Sequence, residues 1–337
     1  MVIILNSYKD LKQKILNSAS KTYTPVVGEF EITANCNFEC KMCYLCNGVK
    51  KTEVPIDTWE SLFLEAKDAG LLYALFTGGE CFLYPDFCQL YEFVYDLGIK
   101  ITIYTNGSYL NDNIVKTLKK RPPEFVTITL YGESNQTYEL VTGRPHAFDT
   151  ILNNIKALKM ANLNILLRTI PIRPIFEHLN EIISLVNQES LFLGYFLYVY
   201  NATLLKNNLD SWRLLPSELQ IFEHKIRSGF KEYKELKVFH NFKTCLALKA
   251  GYYITNSFEM KPCAMALYPI KKLKGMHFLK TFHELGILWE NIDFDECNVC
   301  QNQKSCIACK ARKMLEGSNE SCSQYLHDVA SFVGSLE

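Results

Sequence analysis

Six strand-like segments alternate with helix-like ones, and that rhythm most constrains how this chain can fold. The strands read at 30–36, 71–79, 99–107, 125–132, 163–171 and 193–201, with helices between them at 56–70, 87–98, 111–121, 147–161 and 177–188. A strand that follows a helical crossover returns parallel to its predecessor, and the crossover is right-handed. The expected fold class is α/β, either an open parallel sheet or a partial (β/α)6 barrel. In both, ligands collect at the C-terminal ends of the strands.

Chemistry-bearing residues fall at those ends. The first strand runs into ANCNFECKMCYLC, with Cys36, Cys40, Cys43 and Cys46. The second ends in TGGE, with Gly78, Gly79 and Glu80; the third ends in TNGS and the fourth in YGES. Glycines at such a turn let backbone approach a ligand, and a carboxylate there can pair with an ammonium group.

The chain has 13 cysteines in 337 residues, and 36 basic side chains against 36 acidic ones. Zero net charge gives no electrostatic case for nucleic acid or an anionic membrane as a partner. The N-terminus lacks the basic and long apolar regions of a secretory signal, and no stretch reaches the ~18 apolar residues of a membrane span. A soluble, cytoplasmic protein is expected. In a reducing cytosol, clustered cysteines signify metal or catalysis rather than a disulfide framework.

Cys36-x3-Cys40-x2-Cys43 supplies three thiolates from one short loop. A [4Fe–4S] cluster held by three cysteines keeps one iron open to a substrate or cofactor, whereas a structural zinc would recruit Cys46 or a histidine as a fourth ligand. After Cys88 no cysteine occurs until Cys245, followed by Cys263, Cys297, Cys300, Cys306, Cys309 and Cys322. Seven thiolates suit two clusters better than one, and a zinc ribbon would leave too many unused. The break in cysteine usage places a domain boundary after about residue 205. The seven histidines form no HxH or HExxH spacing. The basic helix end KTLKKRPP reads as structural, signifying capping and solvation.

On the CX3CX2C loop after strand one and TGGE after strand two, the sequence resembles the radical S-adenosylmethionine (SAM) enzymes, which fold as a six-stranded partial, TIM-like (β/α) barrel. The resemblance implies that Cys36, Cys40 and Cys43 bind a cluster whose open iron is chelated by SAM. It also implies SAM contacts from Gly78, Gly79 and Glu80, the last at the amino group; from Asn106 or Ser108 at the ribose; from Thr129 at the end of strand four; and from Arg168 at the carboxylate. The residue before the third cysteine is usually aromatic and packs on adenine; here it is Met42, a soft apolar contact.

The C-terminal cysteines resemble the SPASM extension of these enzymes, which holds two auxiliary [4Fe–4S] clusters. By motif order, Cys245, Cys263 and Cys309 would bind the first and Cys297, Cys300, Cys306 and Cys322 the second. The final pair of the run is separated by two residues where three is usual, and the glycine expected shortly before Cys263 is displaced to Gly251. The fourth site of the first auxiliary cluster is either open or filled by a side chain such as His240.

The implied organisation is an N-terminal extension over 1–28, a barrel over 29–205, a bridging helical region over 206–240 and a SPASM domain with a β-hairpin over 241–337. The implied cofactors are three [4Fe–4S] clusters and SAM, with a flavodoxin- or ferredoxin-type electron donor. The implied activity is reductive cleavage of SAM and hydrogen-atom abstraction from a peptide, with a separate leader-binding protein or direct binding by the barrel. Sulfatase maturation and small-alcohol oxidation are alternatives within the same architecture; a zinc-binding interaction module is the non-enzymatic one. Cys81 is a candidate hydrogen-atom donor if its thiol opens on the mouth, and a buried thiol otherwise. Cys88 reads as core, and Cys46 has no assigned duty.

Overall fold

Apolar residues at alternate positions give each strand one face for helices and one for the interior of the curve. In β1 (Val27–Thr33), Phe30 and Ile32 are fully buried, while Glu29, Glu31 and Thr33 alternate with them on the opposite face. In β2 (Tyr73–Gly78), Phe76 takes the helix side. These rings meet α2 (Ile56–Asp68) and α3 (Phe87–Asp96): Phe30 lies 4.3 Å from Phe63, and Phe76 lies 6.3 Å from Tyr91 between ring centroids. Each buried aromatic of this size stabilises the packing by about 2–3 kcal/mol.

The remaining units follow the same plan. They comprise β3 (Lys100–Thr105), α4 (Asp112–Lys120), β4 (Phe125–Thr129), α5 (Asn135–Thr142), α6 (Ala147–Met160), β5 (Ile165–Thr169), α7 (Arg173–Glu177), α8 (Leu179–Gln188) and β6 (Leu193–Tyr195). The six strands pair in parallel in chain order, and the helix α1 (Val2–Thr22) precedes them. This computed structural model describes residues 2–45, 52–199, 211–231, 233, 245–273, 275, 277–292, 294–302, 306, 309–316 and 322–333. Cys46 and His240 lie outside the described residues. No described helix is long and apolar enough to cross a membrane.

The alternating rhythm thus forms the expected α/β parallel sheet, with differences at particular elements. The helix expected over 177–188 is α8, and a separate short helix, α7, precedes it across His178. The strand expected over 193–201 is a three-residue edge. An additional helix, α5, follows YGES; Ser134 caps it, accepting from the Thr137 N–H at 3.2 Å, and Gly143 ends it at φ 68°.

The C-terminal third is built into the same sheet. After α9 (Pro216–Gly229), β7 (Gly251–Ile254) pairs in parallel with β1, matching Glu29 to Tyr253 and Phe30 to Ile254. It turns into β8 (Glu259–Lys261), the expected hairpin, and β9 (Lys271–Lys272) extends the edge. The sheet runs β6-β5-β4-β3-β2-β1-β7-β8-β9 and does not close on itself among the described residues. The helices α10 (Phe278–Glu290), α11 (Asp295–Asn298), α12 (Lys310–Leu315) and α13 (Gln324–Val333) complete the chain. Tyr252 anchors α10, its ring 5.0 Å from Phe278.

Candidate functional site

The loop leaving β1 is held from three sides. Glu39 and Lys41 donate backbone hydrogen bonds to the carbonyls of Thr142 and Val141 at the end of α5, at 2.8 and 3.2 Å. Asn106 Nδ2 donates to Asn37 Oδ1 at 3.0 Å, and Asn37 Nδ2 to Ser108 Oγ at 2.8 Å. The turn after β2 closes the third side. Gly79 N–H donates to the Thr33 carbonyl and Glu80 N–H to the Asn35 carbonyl, at 3.0 and 2.9 Å.

This contact explains the two glycines. A Cβ on Gly78, whose φ is 138°, would stand 2.1 Å from the Thr33 carbonyl oxygen, and one on Gly79 would stand 2.4 Å from that of Asn35. The glycines allow a close approach to the chain's own cysteine loop.

Glu80 also departs from expectation. It is fully buried, and its carboxylate accepts from the Thr105 hydroxyl at 2.7 and 2.8 Å, the Asn106 N–H at 2.7 Å and the Phe82 N–H at 3.1 Å. Burial pushes its pKa up to about 7, with Thr105 and the N–H groups of Asn106 and Phe82 drawing it down. Nearly all its lone pairs are engaged, so the side chain buttresses the β2 and β3 ends and is not free to meet an ammonium group. Cys81 lies behind it, fully buried, its thiol donating to the Tyr104 carbonyl at 3.3 Å. The thiol does not open on the mouth, so its reading as a hydrogen-atom donor is corrected to that of a buried thiol. Cys88 is half-buried against the core at the start of α3.

Cys36, Cys40 and Cys43 come together on the loop. Cys36 Sγ accepts from the Phe38 N–H at 3.4 Å and lies 3.7 Å from Asn106 Nδ2. Burial pushes the Cys40 thiol up; nearby Cys43 and Cys36 push it further, and a hydrogen bond from Tyr131 of YGES draws it down. Donors aimed at sulfur are what a thiolate ligand requires, so this loop fits a cluster held by its three cysteines. Met42 is buried beside them, and Tyr44 touches Tyr253 of β7, with the hydroxyl oxygens 3.1 Å apart.

The interior face of the sheet is polar. Thr129 and Arg168 are register partners at the C-terminal ends of β4 and β5. The Arg168 guanidinium lies 4.4 Å from the Tyr104 ring and 5.3 Å from that of Phe196, held by cation–π attraction, while Gly194 beside it leaves room for its stem. Glu29, walled in on β1, has its pKa pushed up to about 7 by burial although Arg168 and Lys261 pull it down. Glu29 and Tyr253 were not among the expected residues; the alternation of FEITANC, extended one residue back, marks the face of Glu29, but nothing local marks Tyr253.

Two further sulfur groups lie beyond β7. Burial pushes the Cys263 thiol up to about 12, with Cys309 and Cys245 adding to it. The Cys322 thiol is pushed up to about 11 by burial; Lys313 draws it down, and Cys306 and Cys297 push it further. Cys245, Cys263 and Cys309 are thus near enough to influence one another's thiols, as Cys297 and Cys306 influence Cys322, with Cys300 half-buried three residues from Cys297. Among the described residues, no three His, Cys, Asp or Glu side chains stand close enough to clasp a single metal ion. A four-iron cube spreads its ligands more widely than one ion does.

Residues 30–186 match the radical SAM superfamily, whose members are enzymes, and this stretch is a radical SAM domain. Across most of its length it is similar to the AdoMet-dependent heme synthase of Methanosarcina barkeri, 22% identical over 86% of this chain and 93% of that one. It is also similar to the sporulation killing factor maturation protein SkfB of Bacillus subtilis, 27% identical over 43% of this chain but only 35% of SkfB. The fold superimposes on Streptococcus suis SuiB bound to its precursor peptide SuiA with a TM-score of 0.74 at 17% identity, covering 95% of this chain and 80% of SuiB.

Proposed function

We propose that this enzyme acts on a ribosomally made peptide, installing a cross-link or thioether or inverting a residue. The observation that carries the reading is the cysteine loop, whose sulfurs are met by N–H and hydroxyl donors at the head of a polar, curved sheet; the likeness to a maturation protein and to a peptide-bound fold supports the substrate class. Held by these cysteines, a [4Fe–4S] cluster would supply the electron for reductive cleavage of SAM, the chemistry that would allow hydrogen-atom abstraction from the substrate.

The chain's own residues bind and orient. Cys36, Cys40 and Cys43 hold the cluster and leave one iron for SAM. Arg168 would offer its planar fork to the SAM carboxylate, its guanidinium steadied by the Tyr104 and Phe196 rings. Asn106 or Ser108 would meet the ribose, Thr129 would close the end of β4, Met42 would pack on the adenine, and Gly78 and Gly79 set the turn. Cys245, Cys263 and Cys309 hold one auxiliary cluster, and Cys297, Cys300, Cys306 and Cys322 a second, in a SPASM domain over 241–337. A flavodoxin- or ferredoxin-type donor supplies electrons in the cytoplasm.

The test is anaerobic purification with metal analysis and a SAM-cleavage assay. About twelve irons and sulfides per chain are expected, with 5′-deoxyadenosine formed under a strong reductant and lost when Cys36, Cys40 and Cys43 become Ala. Stoichiometric zinc, or cleavage that persists in the triple variant, refutes the assignment. A second reading, haem synthesis, rests on the full-length likeness to the M. barkeri enzyme. Mass spectrometry after incubation with candidate peptides encoded beside the gene, and with haem precursors, decides between them.

A further inference from the structure

One lysine is buried where the proposed auxiliary sulfurs gather. Lys313 on α12 is 2% exposed. Its ammonium pairs with Glu296, donates to Cys297 Sγ at 3.5 Å and stands 3.9 Å from the centroid of the Phe294 ring. Lysine is almost never fully buried without a partner, and Glu296 supplies one. The further bond to sulfur is the arrangement expected of a sulfur that bears negative charge, since a neutral thiol is a weak acceptor. The positive charge of Lys313 also draws down the Cys322 thiol, which burial pushes up.

We propose that Lys313 tunes a cluster held by Cys297, Cys300, Cys306 and Cys322, raising its reduction potential through a buried positive charge and an N–H···S bond, with Glu296 opposing it. The inference rests on the reading above that these cysteines hold a [4Fe–4S] cluster. Reduction adds one electron and makes the cluster more negative. A fixed cation in a low-dielectric surround stabilises that state more than the oxidised one, and hydrogen bonds to sulfur and net charge are among the levers that set such potentials. The carboxylate of Glu296 acts with the opposite sign, and its greater exposure, 32% against 2%, makes its effect the smaller. Lys313 is a positioning residue in this reading: it acts through the cluster and touches no substrate.

The experiment is an EPR-monitored redox titration of the full-length, anaerobically purified protein, with iron and sulfide measured on each sample. Lys313→Met should lower the midpoint potential of one cluster and leave the others in place; Lys313→Arg should hold it near the parent value; Glu296→Gln should raise it. Opposite shifts from the two charges are a signature that a purely structural lysine does not give. Unchanged midpoints in Lys313→Met and Glu296→Gln at full iron content overturn the proposal. If Lys313→Met fails to retain iron, Glu296→Gln decides alone, a rise supporting the proposal and no change overturning it. A parent protein with only one cluster per chain, or with zinc at the C-terminal cysteines, overturns the underlying reading and this proposal together.

Discussion

The Tyr253 hydroxyl on β7 donates a 2.8 Å hydrogen bond to the Glu31 carboxylate on β1. These residues lie 222 positions apart, and the bond joins the C-terminal hairpin to the strand that leads into the cysteine loop. Tyr253→Phe removes the donor while keeping the ring. A loss of about 1.5–3 kcal/mol is expected, the usual value of a hydrogen bond to a charged group, read as a lowered midpoint in urea unfolding.

The Gly78 turn should tolerate no side chain. Gly78→Ala puts a Cβ 2.1 Å from the Thr33 carbonyl oxygen at a φ of 138°. Backbone must move, at a cost of at least about 1–3 kcal/mol. The cysteine loop moves with it, so iron content and SAM cleavage should fall along with the melting temperature. A variant that melts and loads iron like the parent would show that the turn is less tightly packed than described.

Glu80 gives the stability a pH dependence. Its carboxyl has a folded pKa of about 7 against an ordinary value of 4.5. The folded state therefore holds the proton more tightly than the unfolded chain does. Stability from this group is fully present below about pH 4.5 and is lost as pH rises through about 7, a change on the order of 3 kcal/mol. Glu80→Gln cannot ionise, so the difference in melting temperature between parent and variant should shift in the variant's favour from pH 5 to pH 8.

Arg213 and Glu316 form an ion pair at 2.8 Å with side chains only 8% and 4% exposed. The guanidinium also stacks on Tyr325 at 3.7 Å, tying α13 to the segment before α9. Arg213→Met leaves a buried carboxylate without that partner, and a loss of about 3–5 kcal/mol is expected. Chemical denaturation measures it; a loss under 1 kcal/mol would show that water replaces the pair.

Much of this was legible in the chain because the signals were local. FEITANC alternates within seven residues, and CX3CX2C, TGGE and the 251–261 hairpin are each contiguous. What escaped depended on distance. The pairing of β7 with β1 joins residues more than 200 positions apart, and nothing in GYYI names its neighbour. The reason for Gly78 and Gly79 is visible only once Thr33 and Asn35 stand against them. Glu80 reads from sequence as a ligand because burial and the Thr105 hydroxyl, which make it a buttress, are properties of the folded chain.

The sheet order also sets what can be cut. Because β7 adds to β1 edge to edge, the cysteine-rich third is no cassette that could be exchanged between relatives at a linker. A chain ended before residue 245 would bare the backbone of β1 and uncover Phe30, whose ring meets Tyr252 at 5.8 Å. An unpaired, apolar strand edge invites association with other chains. Chimaeras built on this scaffold must therefore transplant the β1–β7 seam as a unit, with the cysteine loop and the hairpin turn both at its C-terminal end.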